Sequence, residues 1–384
     1  MTTPATLITP QITSRSAERV AEDIDKYEKY HTTHGGDVEA RKSQYADMVN
    51  KYYDLATSFY EYGWGTSFHF AHRLKHETHM ESIRRHEHYL ALRLGLKPGD
   101  KCLDVGCGIG GPLREIALFS GAHVTGLNNN AYQISRALYH NGRTGRNLDQ
   151  ISRFVKADFM KMPFEDASFD AVYQIDATCH APDQVGCYKE ILRVLKPGQY
   201  FAGYEWCATD LYDPTNPNHK SIMAEIELGN GLPDVRTTKQ TLEALQKAGF
   251  ELVDSADLAL SADITWWDPV DPDNWTRLQN FRTTKAGRYV THHLVKVLER
   301  FGVAPKGSLE VASMLERAAD GLVAGGKMGL FTPLFFFLVR KPESANLEVA
   351  SMLQRAADGL VAGGKMGLFT PLFFFLVRKP ESAK

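Results

Sequence analysis

The residues with the clearest chemical signature are the glycines of one short loop. Asp104 stands two positions before Gly106, and Gly108 and Gly110 follow at every second position. Glycines at this spacing let the backbone turn sharply and let a ligand approach without meeting a Cβ atom. Since Gly106, Gly108 and Gly111 also satisfy the G-x-G-x-x-G pattern of dinucleotide sites, the loop alone indicates only a nucleotide-type ligand.

Two neighbouring residues favour S-adenosylmethionine over a dinucleotide. Asp104 lies inside a predicted strand just before the first glycine, where its carboxylate can meet the cationic amino group of the methionine part and would repel a pyrophosphate. Pro112 opens the next predicted helix and removes a backbone N–H that a phosphate-binding helix start would use. The sequence therefore predicts an S-adenosylmethionine site centred on this loop.

Two further predicted strands are expected to supply the remaining cofactor contacts. Asn128 follows the second strand, where an acid usually meets the ribose, and its amide can still hydrogen-bond the diol. Asp158 follows the third strand and is expected to reach the adenine amine beside the ring of Phe159.

The elements that must hold these residues alternate between strands and helices. The predicted strands are 101–105, 122–127, 153–157, 169–175, 200–204, 250–253 and 330–339. The predicted helices between them include 112–119, 131–142, 182–195 and 238–248. Strands separated by helices of this length require right-handed crossovers and parallel pairing. We therefore predict an α/β, Rossmann-like fold with a mostly parallel seven-stranded sheet flanked by helices.

A run of aromatic residues before this α/β region indicates an apolar binding site. It comprises Tyr60, Tyr62, Trp64 and Phe68, with Glu61 among them. In isolation, aromatic runs are more often core packing than binding sites. Because this block also holds two glycines and an acid, it is poor core material, and a binding role is favoured.

Three polar residues stand at the ends of the fourth and fifth predicted strands, where open α/β sheets place ligands. They are Asp176, His180 and Glu205. A lone histidine is more often structural. Glu205 is equally consistent with a buried strand-end acid and with a substrate contact, so position alone leaves these alternatives open.

Four blocks of the sequence resemble signature blocks of the sterol 24-C-methyltransferase family, whose members are S-adenosylmethionine-dependent class I methyltransferases. The blocks are Tyr60–Gly65, Asp104–Pro112, Asp176–Pro182 and Tyr204–Trp206, in the order and spacing of the family. The similarity extends from about residue 52 to residue 342. One departure is Asp176, where many members carry glutamate, so the carboxylate stands here on a shorter stem.

The resemblance implies methyl transfer to the side-chain alkene of a zymosterol-like sterol, giving a 24-methylene sterol such as fecosterol in ergosterol biosynthesis. An alkene has no proton to lose before attack, so positioning supplies most of the rate. The resulting carbocation needs exclusion of water, aromatic faces and a mild base for the last proton. The catalytic candidates are Tyr60, Glu61, Asp176 and His180, and the expected sterol contacts are Tyr62, Trp64, Phe68 and Glu205. A different lipid acceptor and an inactive homologue remain alternatives.

The composition limits the other classes of partner. The 44 basic residues nearly balance the 46 acidic ones, so no nucleic acid partner is expected. The histidines between residues 69 and 88 lack the spacing of a metal site, and no metal is expected. No apolar stretch is long enough for a membrane span, and no secretory signal is expected. A sterol acceptor implies peripheral association with the endoplasmic reticulum or lipid droplets, and a homo-oligomer is left open.

The chain is predicted to contain five segments. They are a mobile arm (1–50), an aromatic and helical cap (51–97), the cofactor-binding core (98–258), a carboxyl-terminal region with the last strand (259–345) and a duplicate (346–384). The cap and the carboxyl-terminal region are the expected sterol-binding additions. Leu309–Ala345 and Leu347–Ala383 are the same sequence except at Glu316 and Gln354. Because a sheet edge offers one place for the last strand, one copy is expected to be surplus.

Overall fold

Seven strands form one sheet, and their order creates a crevice near its centre. The strands are β1 (Lys101–Val105), β2 (His123–Asn128), β3 (Ser152–Lys156), β4 (Phe169–Ile175), β5 (Leu195–Ala208), β6 (Glu251–Asp257) and β7 (Phe331–Arg340). Neighbouring strands follow the order β3-β2-β1-β4-β5-β7-β6. All pairs are parallel except those of β7, which runs antiparallel to β5 and β6. The predicted mostly parallel seven-stranded sheet is confirmed.

The computed structural model of the protein describes residues 38–273, 283–304 and 307–343, together with residues 27, 281, 357, 358, 360, 361 and 365. The chain divides into two compact units, one that ends at Lys341 and one that begins at Pro342. In the second unit, the described residues between 357 and 365 are helical. The other residues of the predicted duplicate (346–384) lie outside the described residues. The same is true of residues 1–37 of the predicted arm, except residue 27.

Helices cover both faces of the sheet. They are α1 (Val38–Ser43), α2 (Tyr45–Gly63), α3 (His79–Leu94), α4 (Gly111–Ser120), α5 (Ala131–Arg143), α6 (Gln184–Val194), α7 (Pro217–Asn230), α8 (Thr238–Ala248), α9 (Lys285–Arg300) and α10 (Ser308–Lys327). One buried cluster joins α6 and α8 to Leu103 and Val105 of β1, and another joins α3 and α4 to Cys102. Alternate residues of one strand thus face opposite layers, as the strand period requires. Of the helices in the described ranges, none combines the length and the apolar character that a membrane span needs.

The helix boundaries follow local capping chemistry. The Thr78 side chain accepts a hydrogen bond from the Glu81 backbone N–H, and the Glu81 carboxylate accepts one from the Thr78 backbone N–H. This capping box starts α3 at His79. Gly95, at a φ of +65°, ends the same helix in the left-handed conformation that glycine adopts without strain.

The strand order reverses at β1, and this reversal positions the site. From β1 the chain proceeds outward to β2 and β3, and it then crosses back to β4 on the other side of β1. Open α/β sheets bind ligands at the carboxyl ends of the strands at such a reversal. Asp104 lies at the end of β1 and Asp176 directly follows β4, so both face this crevice.

The last strand lies inside the sheet, between β5 and β6, rather than at the edge expected from the sequence. Every residue from Phe331 to Val339 is buried, because both faces of this strand are covered. Pro333 has no N–H to donate, and the pairing of β7 with β5 shifts register between Glu205 and Cys207. The first copy of the duplicated segment supplies this strand.

The predicted boundary between the mobile arm and the cap, at residue 50, does not coincide with a structural boundary. Helix α2 crosses it, and Met48 is fully buried. Arg41 is buried as well: its Nη2 lies 3.0 Å from Glu227 Oε2, and its Nε donates to the Pro233 carbonyl at 2.9 Å. Residues 38–50 therefore pack with the body of the protein instead of forming an arm.

Candidate active site

The carboxyl ends of β1, β2 and β3 form the wall of a crevice of about 90 Å³, the cofactor crevice. The predicted cofactor residues that line it are Asp104, Gly106, Gly108, Asn128, Asp158 and Phe159. Gly110 does not line it. At a φ of +75°, Gly110 is instead the N-cap of α4, and a Cβ there would meet the Phe154 ring at 2.8 Å. Parallel pairing thus gathers residues from three separate loops into one site.

The two glycines of the loop that line the crevice have different surroundings. Gly106 has a φ of +79°, and a Cβ on it would lie 2.3 Å from the Ala177 Cβ. Gly108 has a φ of +52°, and a Cβ on it would meet no atom within 4 Å. Gly106 therefore allows two loops to approach closely, whereas Gly108 leaves open space that a ligand can fill.

Asp104 provides the test of whether this crevice suits S-adenosylmethionine. The side chain is buried, and within the described part of the chain its Oδ2 has no hydrogen-bond partner. Burial raises the pKa of Asp104 to about 7. A buried carboxylate with an oxygen that lacks a hydrogen-bond partner is costly, and a cationic group in the crevice reduces that cost. The amino group of the methionine part is such a group, so the residues fit the cofactor.

The far side of the crevice holds the residues that were predicted to contact the ribose and the adenine. Asn128 donates from Nδ2 to the Gly108 carbonyl at 3.2 Å, which orients its amide at the end of β2. Asp158 accepts hydrogen bonds from the Met160 backbone N–H and from the Tyr45 hydroxyl. The Tyr45 ring stacks on Phe159, with 6.1 Å between ring centroids. Sequence reasoning missed Tyr45, because it was placed in the mobile arm.

A second and larger cavity, the acceptor cavity, has a volume of about 250 Å³. The aromatic residues that line it are Tyr52, Tyr53, Phe59, Tyr60, Tyr62, Trp64, Phe68, Phe70 and Trp206. The predicted sterol contacts Tyr62, Trp64 and Phe68 are among them. The residues that line both cavities are Tyr53, Phe68, His69, Asp176 and His180. The acceptor cavity and the cofactor crevice therefore adjoin at these five residues.

Asp176 lies at the junction of the two cavities, and both its backbone conformation and its pKa are unusual. Its φ is +54°, a left-handed conformation that aspartate and asparagine tolerate better than most residues. Neither carboxylate oxygen makes a hydrogen bond of ordinary geometry with a described residue, although the Trp206 side chain interacts with the carboxylate. Burial raises the pKa of Asp176 to about 8, although His69 and Trp206 act in the opposite direction. The carboxyl group is thus available to a ligand rather than committed to the protein.

His180, the other residue predicted at this strand end, is held by two hydrogen bonds. Its Nδ1 lies 2.9 Å from the Gly231 carbonyl, so Nδ1 carries the proton and donates. Its Nε2 therefore accepts from the Tyr53 hydroxyl at 3.0 Å. Burial lowers the pKa of His180 to about 4. The ring is neutral, and its orientation is fixed by helix α2.

His69 also lies at the junction, and sequence reasoning considered it only as a metal ligand. Its Nδ1 donates to the Phe70 carbonyl at 2.7 Å and its Nε2 faces Glu87 Oε1 at 3.1 Å, while Ser67 donates to the same oxygen at 2.7 Å. Burial disfavours the charged ring, but Glu87 raises the pKa of His69 above its usual value. Over the residues that the structure describes, no group of three or more His, Cys, Asp or Glu is placed to hold a metal ion.

Two predicted site acids lie away from the cavities. Glu61 does not line the acceptor cavity. It accepts hydrogen bonds from Arg136 Nη2 at 2.8 Å and from His140 Nε2 at 2.6 Å, and these partners lower its pKa against the effect of burial. The structure thus places Glu61 as an anchor between α2 and α5, outside the lining of both cavities.

Glu205 is likewise separated from the acceptor cavity. It is 1% exposed, accepts from the Tyr188 hydroxyl at 3.2 Å and is hydrogen-bonded by Thr178. Burial raises the pKa of Glu205. Of the two alternatives left open by its position, the structure favours the buried strand-end acid. Its neighbour Trp206 lines the cavity instead.

Comparison with protein families agrees with this architecture. The sterol methyltransferase C-terminal family matches residues 278–343 and, a second time, residues 345–381. A methyltransferase domain family matches residues 103–203, which run from within β1 through the glycine loop to within β5. Both copies of the duplicated segment therefore carry the family pattern, although the first copy supplies β7.

Solved structures with a similar fold are methyltransferases and related enzymes. The [4+2]-cyclase SpnF matches with a TM-score of 0.59 and 22% identity, over 77% of this chain and 96% of that one. The cyclopropane synthase MmaA2 from Mycobacterium tuberculosis matches with a TM-score of 0.59 and 18% identity, over 76% and 97% of the two chains. At these identities the likeness shows the fold.

Curated relatives define the family. Cycloartenol-C-24-methyltransferase 1 of Oryza sativa is 63% identical over 85% of this chain and 94% of the relative. Cycloartenol-C-24-methyltransferase of Arabidopsis thaliana is 61% identical over 83% and 94%. The sterol 24-C-methyltransferase of Saccharomyces cerevisiae is 51% identical over 80% and 82%. With a methyltransferase fold and a crevice that fits S-adenosylmethionine, the chain belongs to the sterol 24-C-methyltransferase family of S-adenosylmethionine-dependent C-methyltransferases.

Proposed function

We propose that the protein methylates C24 in the side-chain alkene of a sterol, giving a 24-methylene product. The observation that carries this proposal is the junction of an aromatic cavity with a crevice that fits S-adenosylmethionine. Five residues line both spaces, so a group bound in one lies next to a group bound in the other. Such an arrangement suits direct transfer between two bound molecules.

The aromatic lining suits a cationic reaction path. Bound S-adenosylmethionine supplies an electrophilic methyl group, and the alkene becomes a carbocation when it accepts that group. The faces of Tyr60, Trp64 and Phe68 line the cavity and attract a cation without reacting with it. The same residues exclude water, which would otherwise quench the cation.

Asp176 is the residue we propose as acceptor of the final proton. Asp176 lines both cavities, and its carboxylate makes no hydrogen bond of ordinary geometry with a described residue. A cation beside it lowers the pKa of this raised carboxyl, so the ionised form is favoured at the moment when a base is needed. His180 and Tyr53, hydrogen-bonded to each other, fix the wall next to it. Glu61 has no part in this step.

Two acceptor sterols are supported to different extents. The sequence resemblance suggests a zymosterol-like sterol. A cycloartenol-like sterol is supported by the relatives named for that substrate, which are 61% and 63% identical to this chain, against 51% for the Saccharomyces cerevisiae enzyme. The test is incubation of the purified protein with labelled S-adenosylmethionine and each sterol, followed by mass analysis. A 24-methylene product from either sterol supports the proposal, and labelled product from a non-sterol lipid alone contradicts it.

Peripheral membrane attachment, on the endoplasmic reticulum or lipid droplets, is part of the same proposal. Helix α9 and the turn after it expose Val290, Leu294, Val297 and Phe301, which repeat at helical spacing. Such an apolar face suits the boundary of a lipid layer, from which a sterol can enter. Flotation with vesicles should recover the protein, and Leu294→Lys together with Val297→Lys should reduce recovery. Unchanged flotation of this variant would reject the face as the attachment surface.

A further inference from the structure

One stripe of α10 forms part of the wall of the acceptor cavity. The residues of this stripe are Ala312, Leu315, Glu316, Ala318, Ala319 and Leu322. All are apolar except Glu316. Glu316 is half-buried, so its carboxylate can serve as a polar contact for a ligand bound in this cavity.

The neighbours of Glu316 leave its carboxylate available. Arg288 also lines the cavity, but its guanidinium donates to the Thr283 carbonyl at 3.0 Å, to Asp320 Oδ1 at 2.7 Å and to the Val270 carbonyl at 3.2 Å. No hydrogen bond joins Glu316 to any residue in the described part of the chain. Burial raises the pKa of Glu316, while the charges of Arg288 and His292 oppose this effect.

Glu316 lines the acceptor cavity and does not line the cofactor crevice. The residues shared with the cofactor crevice come from α2, from the segment before α3 and from the end of β4, whereas α10 contributes none. Asp320, one turn after Glu316, is 57% exposed, so this end of the cavity is close to solvent. A long ligand whose reacting end meets the cofactor therefore directs its opposite end toward Glu316.

A sterol has this shape and this distribution of polarity. Its single hydroxyl, on C3, is at the end of the ring system opposite to the side chain. We propose that the Glu316 carboxylate accepts a hydrogen bond from this hydroxyl and so sets how far the side chain reaches toward Asp176. The inference rests on the proposed function, because it requires a sterol with its alkene at the cofactor end. Glu316 is a positioning residue and takes no part in the chemistry.

The duplicated segment suggests a matched substitution for Glu316. Gln354 occupies the position of Glu316 in the second copy of the duplicated segment, and it is the one difference between the copies. Glu316→Gln keeps the shape of the side chain but removes its charge. Glu316→Asp keeps the charge. Glu310→Gln makes the same chemical change on the exposed face of α10 and serves as the control.

The test compares the affinity of three probes: zymosterol, its 3-ketone and its 3-O-methyl ether. Binding is followed by quenching of tryptophan fluorescence, since Trp64 and Trp206 line the cavity. The unsubstituted protein and Glu310→Gln should bind the alcohol on the order of tenfold more tightly than the ketone or ether, since neither of these can donate to a carboxylate. In Glu316→Gln, the ratio of the affinity for the alcohol to that for the ketone or ether should be close to one. Glu316→Asp should keep most of the preference for the alcohol.

Measurements of sterol binding and of turnover distinguish a failure of this inference from a failure of the proposed function. If sterols bind with the expected preference but no methylated product forms, the proposed function fails and the role of Glu316 in binding stands. If the preference is the same in Glu316→Gln and in the unsubstituted protein, or if the unsubstituted protein does not distinguish the alcohol from the ether, the inference about Glu316 is wrong. Thermal unfolding of each variant verifies that the fold is intact.

Discussion

Tyr53, on helix α2, donates its hydroxyl hydrogen to Nε2 of His180, which follows β4, at 3.0 Å. This hydrogen bond joins the aromatic cap to the carboxyl edge of the sheet at the place where the two cavities meet. The opposite ring nitrogen of His180 donates to the Gly231 carbonyl, so three separate segments are tied together through one imidazole. The cap is therefore a structural part of the site and not an appended cover.

Tyr53→Phe should weaken both the fold and the reaction. The substitution leaves Nε2 of His180 buried without a donor, which costs about 1–3 kcal/mol in free energy of unfolding. Urea unfolding measures this change. Tyr289→Phe, on an exposed tyrosine of α9, is the control and should stay within about 0.5 kcal/mol. A Tyr53→Phe protein as stable as the control would show that the hydrogen bond contributes nothing.

Asp176→Asn should make the protein more stable and less active. The pKa of Asp176 is raised from 3.8 to about 8, so between these values the folded state binds more protons than the unfolded chain. The contribution of this residue to stability therefore falls as the pH rises through that window. Asparagine suits the left-handed backbone and carries no charge. We expect a gain on the order of 2 kcal/mol at pH 8 and a smaller one at pH 5.

The activity of the same variant tests the proposed base. Loss of a general base lowers turnover by about 10² to 10⁴-fold. Asp210→Asn, on an exposed residue, should change neither the stability profile nor the turnover. Turnover of Asp176→Asn near the unsubstituted level would show that another group removes the proton.

Gly106→Ala and Gly108→Ala should separate folding from cofactor binding. Both positions have a positive φ, which costs alanine about 1–2 kcal/mol. At Gly106 the added methyl also overlaps Ala177, and we expect about 1–3 kcal/mol of further destabilisation. At Gly108 the methyl extends into the cofactor crevice, so weaker S-adenosylmethionine binding should be the main effect. Calorimetric titration and thermal unfolding measure the two quantities, and equal stability of the two variants would contradict this interpretation.

Glu87→Gln should destabilise the protein in a pH-dependent way. Despite the opposing effect of burial, Glu87 raises the pKa of His69 above 6.5, so the folded state holds the proton more tightly than the unfolded chain. This contribution is fully present below pH 6.5 and is lost as the pH rises through the folded-state pKa. The difference in free energy of unfolding between the two proteins should be about 1–3 kcal/mol near pH 6 and should shrink at higher pH. A difference that is constant with pH would show that His69 is not the group concerned.

Removal of residues 346–384 should leave the fold and the activity unchanged. Residues 331–340 already supply the buried strand β7, and the sheet has one place for it between β5 and β6. Thermal unfolding and methyl-transfer assays of the shortened chain test this expectation. Removal of residues 309–346 brings the second copy to the same position in the sequence, and this protein should fold as well. A loss of activity in the first deletion alone would show that the second copy contributes to the site.

Much of the cofactor site could be predicted from the sequence, because its determinants are local. A loop with positive φ values needs glycine, and a run of alternating strands and helices has few ways to pair. For this reason Asp104, Asn128 and Asp158 were expected at three strand ends and are found lining one crevice. The prediction of a mobile arm was wrong for residues 38–50. Their polar composition does not show that Arg41 is buried and forms an ion pair with Glu227.

The acceptor site depended on orientations that the sequence leaves open. Consecutive helical residues point about 100° apart, so within one motif Tyr60 faces the acceptor cavity and Glu61 faces Arg136. Consecutive strand residues point to opposite faces, so Trp206 lines the cavity and Glu205 is buried behind it. Which member of each pair meets the substrate depends on the elements packed against it.

The sequence by itself determined the α/β fold, the glycine loop and the family, since these follow from short-range backbone requirements and from the order of the motifs. Only the tertiary structure decided that His69, His180 and Asp176 line one junction, that Tyr53 holds His180, and that β7 enters the middle of the sheet. Those contacts join segments that are distant along the chain. Their formation depends on packing between elements, which no local pattern specifies.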